Sequence, residues 1–224
     1  LDDTALNIGD TATVTFTFSE APVGFSAADV TVTDGTLGTI NATGDPLVFN
    51  ATLTPLVNTE DPTNMIAVST AYTDAAGNTG TAGNSTNYAV DTIAPITPTV
   101  DSLTTGDTTP WITGAATLAT GETLSVTVHG ATYDNVTVTG GTWILDTGSA
   151  VPDSGSLGTF IDGSSYEVIA TVTDLATNST TDISTNEVTI DTSLPNAIDD
   201  LGTTDEDTVL SVSASGILSN DLNP

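Results

Sequence analysis

The chain has 224 residues, of which 29 are Asp or Glu and none is Lys or Arg, so its formal net charge is −29 at pH 7. Nucleic acid and anionic membrane surfaces are therefore excluded as partners, because both are bound mainly through basic residues. The sequence contains no Cys, which excludes disulfides, thiolate metal sites and thiol chemistry.

The first part of the chain alternates between apolar and polar side chains, which is typical of half-buried β-strands. Strands are predicted at 11–18, 29–37, 47–54, 64–72 and 86–91. An Asp-Gly turn divides the second of them. No segment longer than a turn has a helical period. Many short strands separated by turn residues predict an all-β fold, an antiparallel Ig-like β-sandwich.

The second part of the chain repeats this design, with strands predicted at 110–116, 123–129, 140–146 and 166–172. Its two tryptophans, Trp111 and Trp143, have two possible roles: packing in the core or at an edge of a small sandwich, or stacking on a ligand. The single histidine, His129, ends an alternating strand, where an exposed or edge position is expected.

A loop motif recurs 100 residues further along the chain. The segment Y-T-D-A-A-G-N at 72–78 returns as V-T-D-L-A-T-N at 172–178, and V-D-T-I-A-P at 90–95 returns as I-D-T-S-L-P at 190–195. Self-similarity at a fixed period indicates tandem structural units. It predicts one Ig-like domain at 1–94, a second at 95–195, and the N-terminal fragment of a third repeat at 196–224.

The motif T-D-x-A-x-N followed by V-D-T-x-A-P resembles the bacterial Ig-like extender repeats of giant RTX-type calcium-dependent adhesins. The stretch T-D-E-D-T-V-L-S-V-S-A-S-G-I-L-S-N-D at 204–221 resembles the start of a cadherin-like or VCBS-type repeat. One departure from the family pattern is Thr177, which stands where the second loop usually has Gly. It puts the backbone geometry of that loop in question, because Gly is the residue that tolerates a positive φ.

The resemblance implies tandem sandwiches in an elongated array that form the stalk of a large secreted adhesin. Such a stalk lies outside the cell or at its surface and supports cell adhesion and biofilm formation. The implied partners are neighbouring repeats of the same polypeptide and, through a distal domain, other cells or surfaces. Membrane insertion is not expected, since no apolar run of about 18 residues occurs. The implied cofactor is Ca²⁺.

The order of strands in a seven-stranded Ig-like sandwich indicates which acidic residues meet at a domain junction. The last strand of the first domain ends beside the loop between the last two strands of the next domain, so Asp91 is expected to meet Asp174 and Asn178. Asp10, in the first loop of the first domain, is within reach of the same junction. Calcium binds about six to eight oxygen atoms from carboxylates, amides and backbone carbonyls, and these residues supply such groups.

The same reasoning places two further sets of candidate calcium ligands. Asp191 and Glu122 are expected at the junction with whatever follows residue 196, close to Asp199. Asp74 and Asn78 are expected to face a domain that precedes the first one. The alternative for all of these residues is a role in turns, where Asp and Asn bond to their own backbone without a metal ion.

Two other functions remain open at this point. The alternatives to a stalk segment are a glycan-binding or cell-surface-binding module, with Trp111, Trp143 or Tyr133 in contact with the ligand, and a subunit of an extracellular filament. An enzyme is not expected, because Lys, Arg and Cys are missing and neither G-x-S-x-G nor H-E-x-x-H occurs.

Overall fold

The computed structural model describes residues 1–194 and 206–207. Within them, every regular element is a β-strand apart from one short 3₁₀ turn, Ala27–Asp29. The predicted all-β sandwich fold is confirmed. No helix in this part of the chain is long and apolar enough to cross a membrane. The predicted third repeat, 196–224, lies outside the described residues except for residues 206–207.

The first domain is built from short strands that form three small sheets. The strands are β1 Ala5–Leu6, β2 Ala12–Thr17, β3 Val30–Val32, β4 Gly35–Leu37, β5 Asn41–Ala42, β6 Val48–Pro55, β7 Glu60–Asn64, β8 Ile66–Val68, β9 Gly83–Asn84 and β10 Tyr88–Asp91. Their orders in the sheets are β2-β6-β4 with β5 beside β6, β1-β10-β7, and β3-β8-β9.

Alternation along β2 decides which side of the first domain becomes the core. Ala12, Val14 and Phe16 are buried while the threonines between them are exposed. β2 pairs antiparallel with β6, where Leu53 is fully buried on the same face. The opposite wall of this core includes Tyr88, whose hydroxyl donates to the carbonyl of Thr33. Burial raises the pKa of the Tyr88 hydroxyl.

The second domain has the same kind of organisation. Its strands are β11 Thr99–Val100, β12 Leu103–Thr105, β13 Trp111–Ala115, β14 Thr123–Val128, β15 Ala131–Tyr133, β16 Val138–Thr139, β17 Thr142–Asp146, β18 Ser154–Gly155, β19 Ser165–Tyr166, β20 Val168–Thr173, β21 Ser179–Thr181 and β22 Val188–Ile190. The sheets are β11-β13-β17-β16, β12-β22-β19 and β18-β15-β14-β20-β21.

The two tryptophans of the second domain have different environments. Trp143 is 1% exposed in the core, and its indole N–H donates to the carbonyl of Thr99 at 3.2 Å. Trp111 is 63% exposed. His129 follows β14 and is half-buried, with its ring 4.4 Å from that of Tyr166. Packing therefore accounts for Trp143, whereas Trp111 is available to a ligand.

One strand pair in each domain is parallel, which differs from the expected all-antiparallel arrangement. β1 pairs with β10 and β12 with β22, so a strand near the start of each domain lies beside its last strand. Neighbouring strands joined by tight turns must be antiparallel. These pairs are instead connected through a whole domain, so the chain has room to return in the same direction.

The structure has two separate hydrophobic cores. The first contains residues between Leu6 and Val90, and the second contains residues between Val100 and Ile190, with no member in common. The chain passes from one core to the other through the segment that follows β10. The boundary between residues 94 and 95 remains a prediction.

Candidate functional site at the domain joint

The loops Asp74–Asn78 and Asp174–Asn178 close on themselves with the same hydrogen bonds. In the second, the backbone N–H of Asn178 donates to Asp174 Oδ1 at 2.8 Å, and that of Asp174 donates to the Asn178 carbonyl at 3.0 Å. In the first, the corresponding distances are 2.8 and 3.0 Å. The aspartates therefore have the turn role that is common for this residue type.

Each loop places one residue in the left-handed region just before its asparagine. Gly77 has φ +88° and Thr177 has φ +71°. The substitution of Thr for Gly therefore leaves the loop geometry unchanged. A β-branched residue at such a φ is an outlier, at a cost of about 1–2 kcal/mol, so the surroundings of Thr177 must hold it there.

The first domain presents a tight turn toward the second loop. Asp10 Oδ2 accepts the backbone N–H of Asn7 at 3.1 Å, and the Asp10 N–H donates to the Asn7 carbonyl at 3.3 Å. The backbone N–H of Ile8 makes no hydrogen bond within this turn. That N–H donates instead to Asn178 Oδ1 in the second domain, at 2.8 Å.

Side-chain hydrogen bonds link the turn and the end of β10 to the second loop. Asn7 Nδ2 donates to the Ala176 carbonyl and to Thr177 Oγ1, both at 3.0 Å. Asn178 Nδ2 donates to the Asp91 carbonyl at 2.9 Å. Close by, the Thr180 hydroxyl donates to the Pro95 carbonyl in the linker at 3.1 Å. We call this contact between residues 7–8, 91–95 and 176–180 the joint.

Asn178 lies at the centre of the joint and is 4% exposed. Its Nδ2 also donates to Asp174 Oδ2 at 2.9 Å. Its counterpart Asn78 is exposed, and its side-chain amide donates only to Asp74 Oδ2, at 2.6 Å. This bond lowers the pKa of the Asp74 carboxyl below its ordinary value, and the bond from the Asn78 backbone N–H lowers it further by a smaller amount.

Asp91 and Asn178 meet directly as predicted, and Asp174 shares the same Asn178 amide, but the contacts are not all made through the expected groups. Asp91 contacts Asn178 through its backbone carbonyl, whereas its carboxylate accepts the N–H of Ile93 at 3.2 Å. The Asp10 carboxylate holds the Asn7–Asp10 turn. Each of the three predicted carboxylates, those of Asp10, Asp91 and Asp174, thus accepts a hydrogen bond from its own turn.

The structure also locates the remaining predicted residues. Glu122 Oε2 accepts the Ala119 N–H at 2.7 Å. The equivalent bond in the first domain runs from the Asn7 N–H to Asp10 Oδ2. Asp191 Oδ1 accepts the Ser193 N–H at 3.0 Å. Neither is bonded to the other in the part of the chain that the structure describes. Asp199 lies outside that part, so the predicted site around it is not described.

Calcium is a poor fit to the centre of the joint. The oxygens that face it, Asp91 O and Asp174 Oδ2, both accept hydrogen bonds from Asn178 Nδ2. A cation there would have to displace an amide nitrogen that is a donor and not a ligand. Among residues 1–194 and 206–207, no three His, Cys, Asp or Glu side chains are grouped to hold a metal ion. Calcium binding by the predicted residues, at this junction and elsewhere, remains a prediction.

Sequence reasoning missed several members of the joint. Asn7 and Ile8 act through a side-chain amide and a backbone N–H, and neither belongs to a recognised motif. Thr180 reaches the linker at Pro95. The signal for the turn was available, because N-I-G-D at 7–10 corresponds to A-T-G-E at 119–122. The signal for Thr177 was its departure from Gly.

Residues 1–90 match the family model of the bacterial Ig-like domain. The first of the two sandwiches is therefore similar to a bacterial Ig-like domain. No curated protein matches the chain.

Two solved structures illustrate the similarity to known proteins. One is SGBP-B of the Bacteroides ovatus mixed-linkage glucan utilization locus, in complex with a mixed-linkage heptasaccharide. Its identity is 14% and its TM-score 0.26, over 93% of this chain and 48% of that one. The other is a Corynebacterium diphtheriae protein described as membrane anchored, with 12% identity and a TM-score of 0.31 over 92% and 54% of the two chains. The chain thus spans about half the length of each.

Proposed function

We propose that this chain is a structural extender segment in the stalk of a large secreted bacterial adhesin, and that its role is to hold a distal binding domain away from the cell. The observation that supports this role most directly is the joint, in which Asn178 bonds to both the Asp91 carbonyl and the Ile8 N–H. A stalk needs stiff connections between its domains, and this connection is made by several hydrogen bonds around a buried side chain.

The strength expected of the joint follows from its bonds. A typical intramolecular hydrogen bond contributes about 0.5–1.5 kcal/mol to stability. The bonds of Asn7, Ile8 and Asn178 across the joint, together with that of Thr180 to the linker, therefore supply a few kcal/mol. Domains in one chain move relative to each other by default unless such an interface restrains them. A restraint of this size is enough to favour one arrangement.

The composition is compatible with a place outside the cell or at its surface. A Cys-free chain needs no disulfide formation after export, and a net charge of −29 favours solubility and disfavours non-specific association. The resemblance of the loop motifs to adhesin extender repeats supports the same location, with neighbouring repeats of the polypeptide as the immediate partners. The proposal includes no catalytic activity.

The test measures the spread of distances between the two domains. Because the chain has no Cys, Thr52→Cys on β6 and Ile144→Cys on β17, both exposed positions, give two unique sites for spin labels. A stiff joint predicts one narrow distance distribution in electron–electron double resonance. The same two labels are then placed in the Asn178→Ala variant for comparison. Loss of the amide is expected to broaden the distance distribution. A distribution that is broad for the unmodified joint both with and without calcium would rule out the stalk role.

A glycan-binding module is a second candidate, and one observation favours it. Trp111 is 63% exposed on β13 and pairs across the sheet with Asp146 on β17. An exposed indole offers an apolar face for stacking, and a neighbouring carboxylate can accept hydrogen bonds from hydroxyl groups, so the pair suits contact with a sugar. Because Trp143 is buried, a ligand-induced change in Trp fluorescence would come from Trp111. Titration with bacterial and host glycans should give a saturable change that Trp111→Ala abolishes; the absence of any change would remove this candidate.

A further inference from the structure

The orientation of the Asn178 carboxamide follows from its neighbours. The Ile8 N–H can only donate, so the atom that it meets at 2.8 Å must be the amide oxygen. The Asp91 carbonyl and Asp174 Oδ2 can only accept, so the atom at 2.9 Å from both must be the amide nitrogen. Three contacts agree on one orientation, and rotating the amide by 180° would break all of them.

The amide nitrogen of Asn178 stands where a shared cation would otherwise be needed. A carboxylate of one domain and a strand-end carbonyl of the other both point toward it, and in a chain without Lys or Arg no basic side chain can offset them. The two N–H groups of the amide satisfy both oxygens at hydrogen-bond distance. The buried position, 4% exposed, makes such satisfaction necessary, because an unpaired buried polar group costs about 1–3 kcal/mol.

We propose that the Asn178 carboxamide closes the joint in place of a divalent cation, so that the two domains stay in one arrangement when calcium is removed. This inference rests on the proposed stalk role and specifies how the stalk is stiffened at this position. It departs from the calcium-dependent stiffening that the sequence resemblance implies.

A single substitution tests the idea that the amide replaces a cation. Asn178→Asp has nearly the same shape but exchanges the nitrogen for an oxygen. The introduced carboxylate would face Asp174 and the Asp91 carbonyl without any donor between them, and like charges at this distance repel. A divalent cation would then be required to hold the three oxygen groups together. The substitution should therefore convert a calcium-independent joint into a calcium-dependent one.

The experiment uses the full chain with spin labels at positions 52 and 144, and measures it once in EGTA and once in about 10 mM calcium. This concentration is well above the dissociation constants of extracellular calcium modules, which are about 10⁻⁴–10⁻³ M. The unmodified joint should give the same narrow distribution in both. Asn178→Asp should broaden it in EGTA and narrow it again in calcium. Asn178→Ala should broaden it in both, and the matched control Asn78→Asp should leave it narrow. NaCl at equal ionic strength controls for screening of the net charge.

Each contrary outcome has a separate meaning. If the unmodified chain is narrow in calcium and broad in EGTA, the joint needs the cation, so this inference fails while the stalk role stands. If Asn178→Asp stays broad in calcium, or stays narrow in EGTA, the amide does not occupy the position of a cation. If the unmodified chain is broad under both conditions, the stalk role and this inference fail together.

Discussion

The loops Asp74–Asn78 and Asp174–Asn178 have the same sequence pattern and the same internal bonds, yet within the described part of the chain only the second takes part in a joint. Asn178 is 4% exposed and bonded to two groups of the other domain, whereas Asn78 is exposed and bonds to Asp74 alone. The motif therefore builds a turn that presents a carboxamide. The neighbouring domain decides whether that carboxamide becomes part of an interface.

The largest difference between the loops should appear when each asparagine loses its amide. Asn178→Ala leaves the Ile8 N–H, the Asp91 carbonyl and Asp174 Oδ2 without this partner, which should lower stability by about 1–3 kcal/mol. Asn78→Ala should cost less than about 1 kcal/mol, because water replaces the amide at an exposed site. Urea unfolding followed by Trp fluorescence reports the second domain, which contains both tryptophans; far-UV circular dichroism reports both domains.

Equal losses for the two alanine variants would contradict this comparison, because they would mean that the contacts across the joint add nothing to the internal turn. A loss confined to Asn78→Ala would contradict it more strongly. The double variant provides the control for independence: its loss should equal the sum of the two single losses, since the loops lie in different domains.

An exchange of Gly and Thr between the loops should have an intermediate effect. Gly77→Thr should destabilise the first domain by about 1–2 kcal/mol, because φ +88° is unfavourable for an L-residue with a side chain. A Cβ at this position would meet nothing within 4 Å, so the cost comes from the backbone alone. Thermal unfolding by circular dichroism measures it, and Gly77→Ala separates the effect of β-branching.

Thr177→Gly should change stability by less than about 1 kcal/mol, because relief of backbone strain is offset by the greater flexibility of Gly in the unfolded chain. The variant also loses the bond from Asn7 Nδ2 to Thr177 Oγ1. A large destabilisation would mean that this hydroxyl contributes more to the joint than an exposed bond normally does. A neutral Gly77→Thr would show that strain at this position is not significant.

The smallest effect is expected from acid. The pKa of Asp74 is lowered below its ordinary value of 3.8 by the hydrogen bonds from Asn78. A group whose pKa is depressed on folding contributes stability above its unfolded pKa and loses it as the pH falls through the folded pKa. The bonds should therefore persist at pH 3.8 and break only below it.

An NMR titration that follows the Asn78 side-chain amide checks this prediction. The transition should have a midpoint below pH 3.8 and should be absent in Asp74→Asn, which cannot titrate. A midpoint at or above 3.8 would mean that the Asn78–Asp74 bond does not favour the ionised carboxylate.

Much of the fold could be predicted from local pattern. The alternation in β2 and β14 depends only on neighbouring residues and on the two-residue period of a strand, and both strands formed where expected. The recurrence of the loop after 100 residues identified two equivalent turns, and their aspartates bond to the backbone in both. The pairing of β1 with β10 was missed, because parallel pairing depends on how a whole domain folds back.

The sequence by itself determined many of the strands, the two equivalent turns and the approximate meeting of Asp91 with the Asp174–Asn178 loop. The tertiary structure decided which atoms meet: the Asp91 carbonyl and not its carboxylate, the Ile8 N–H, and an amide whose donors occupy the place predicted for a cation. The reason is physical. A turn is specified by residues a few positions apart, whereas the contacts of the joint involve groups separated by 87 and 170 residues, whose identity is set only when two folded surfaces come together.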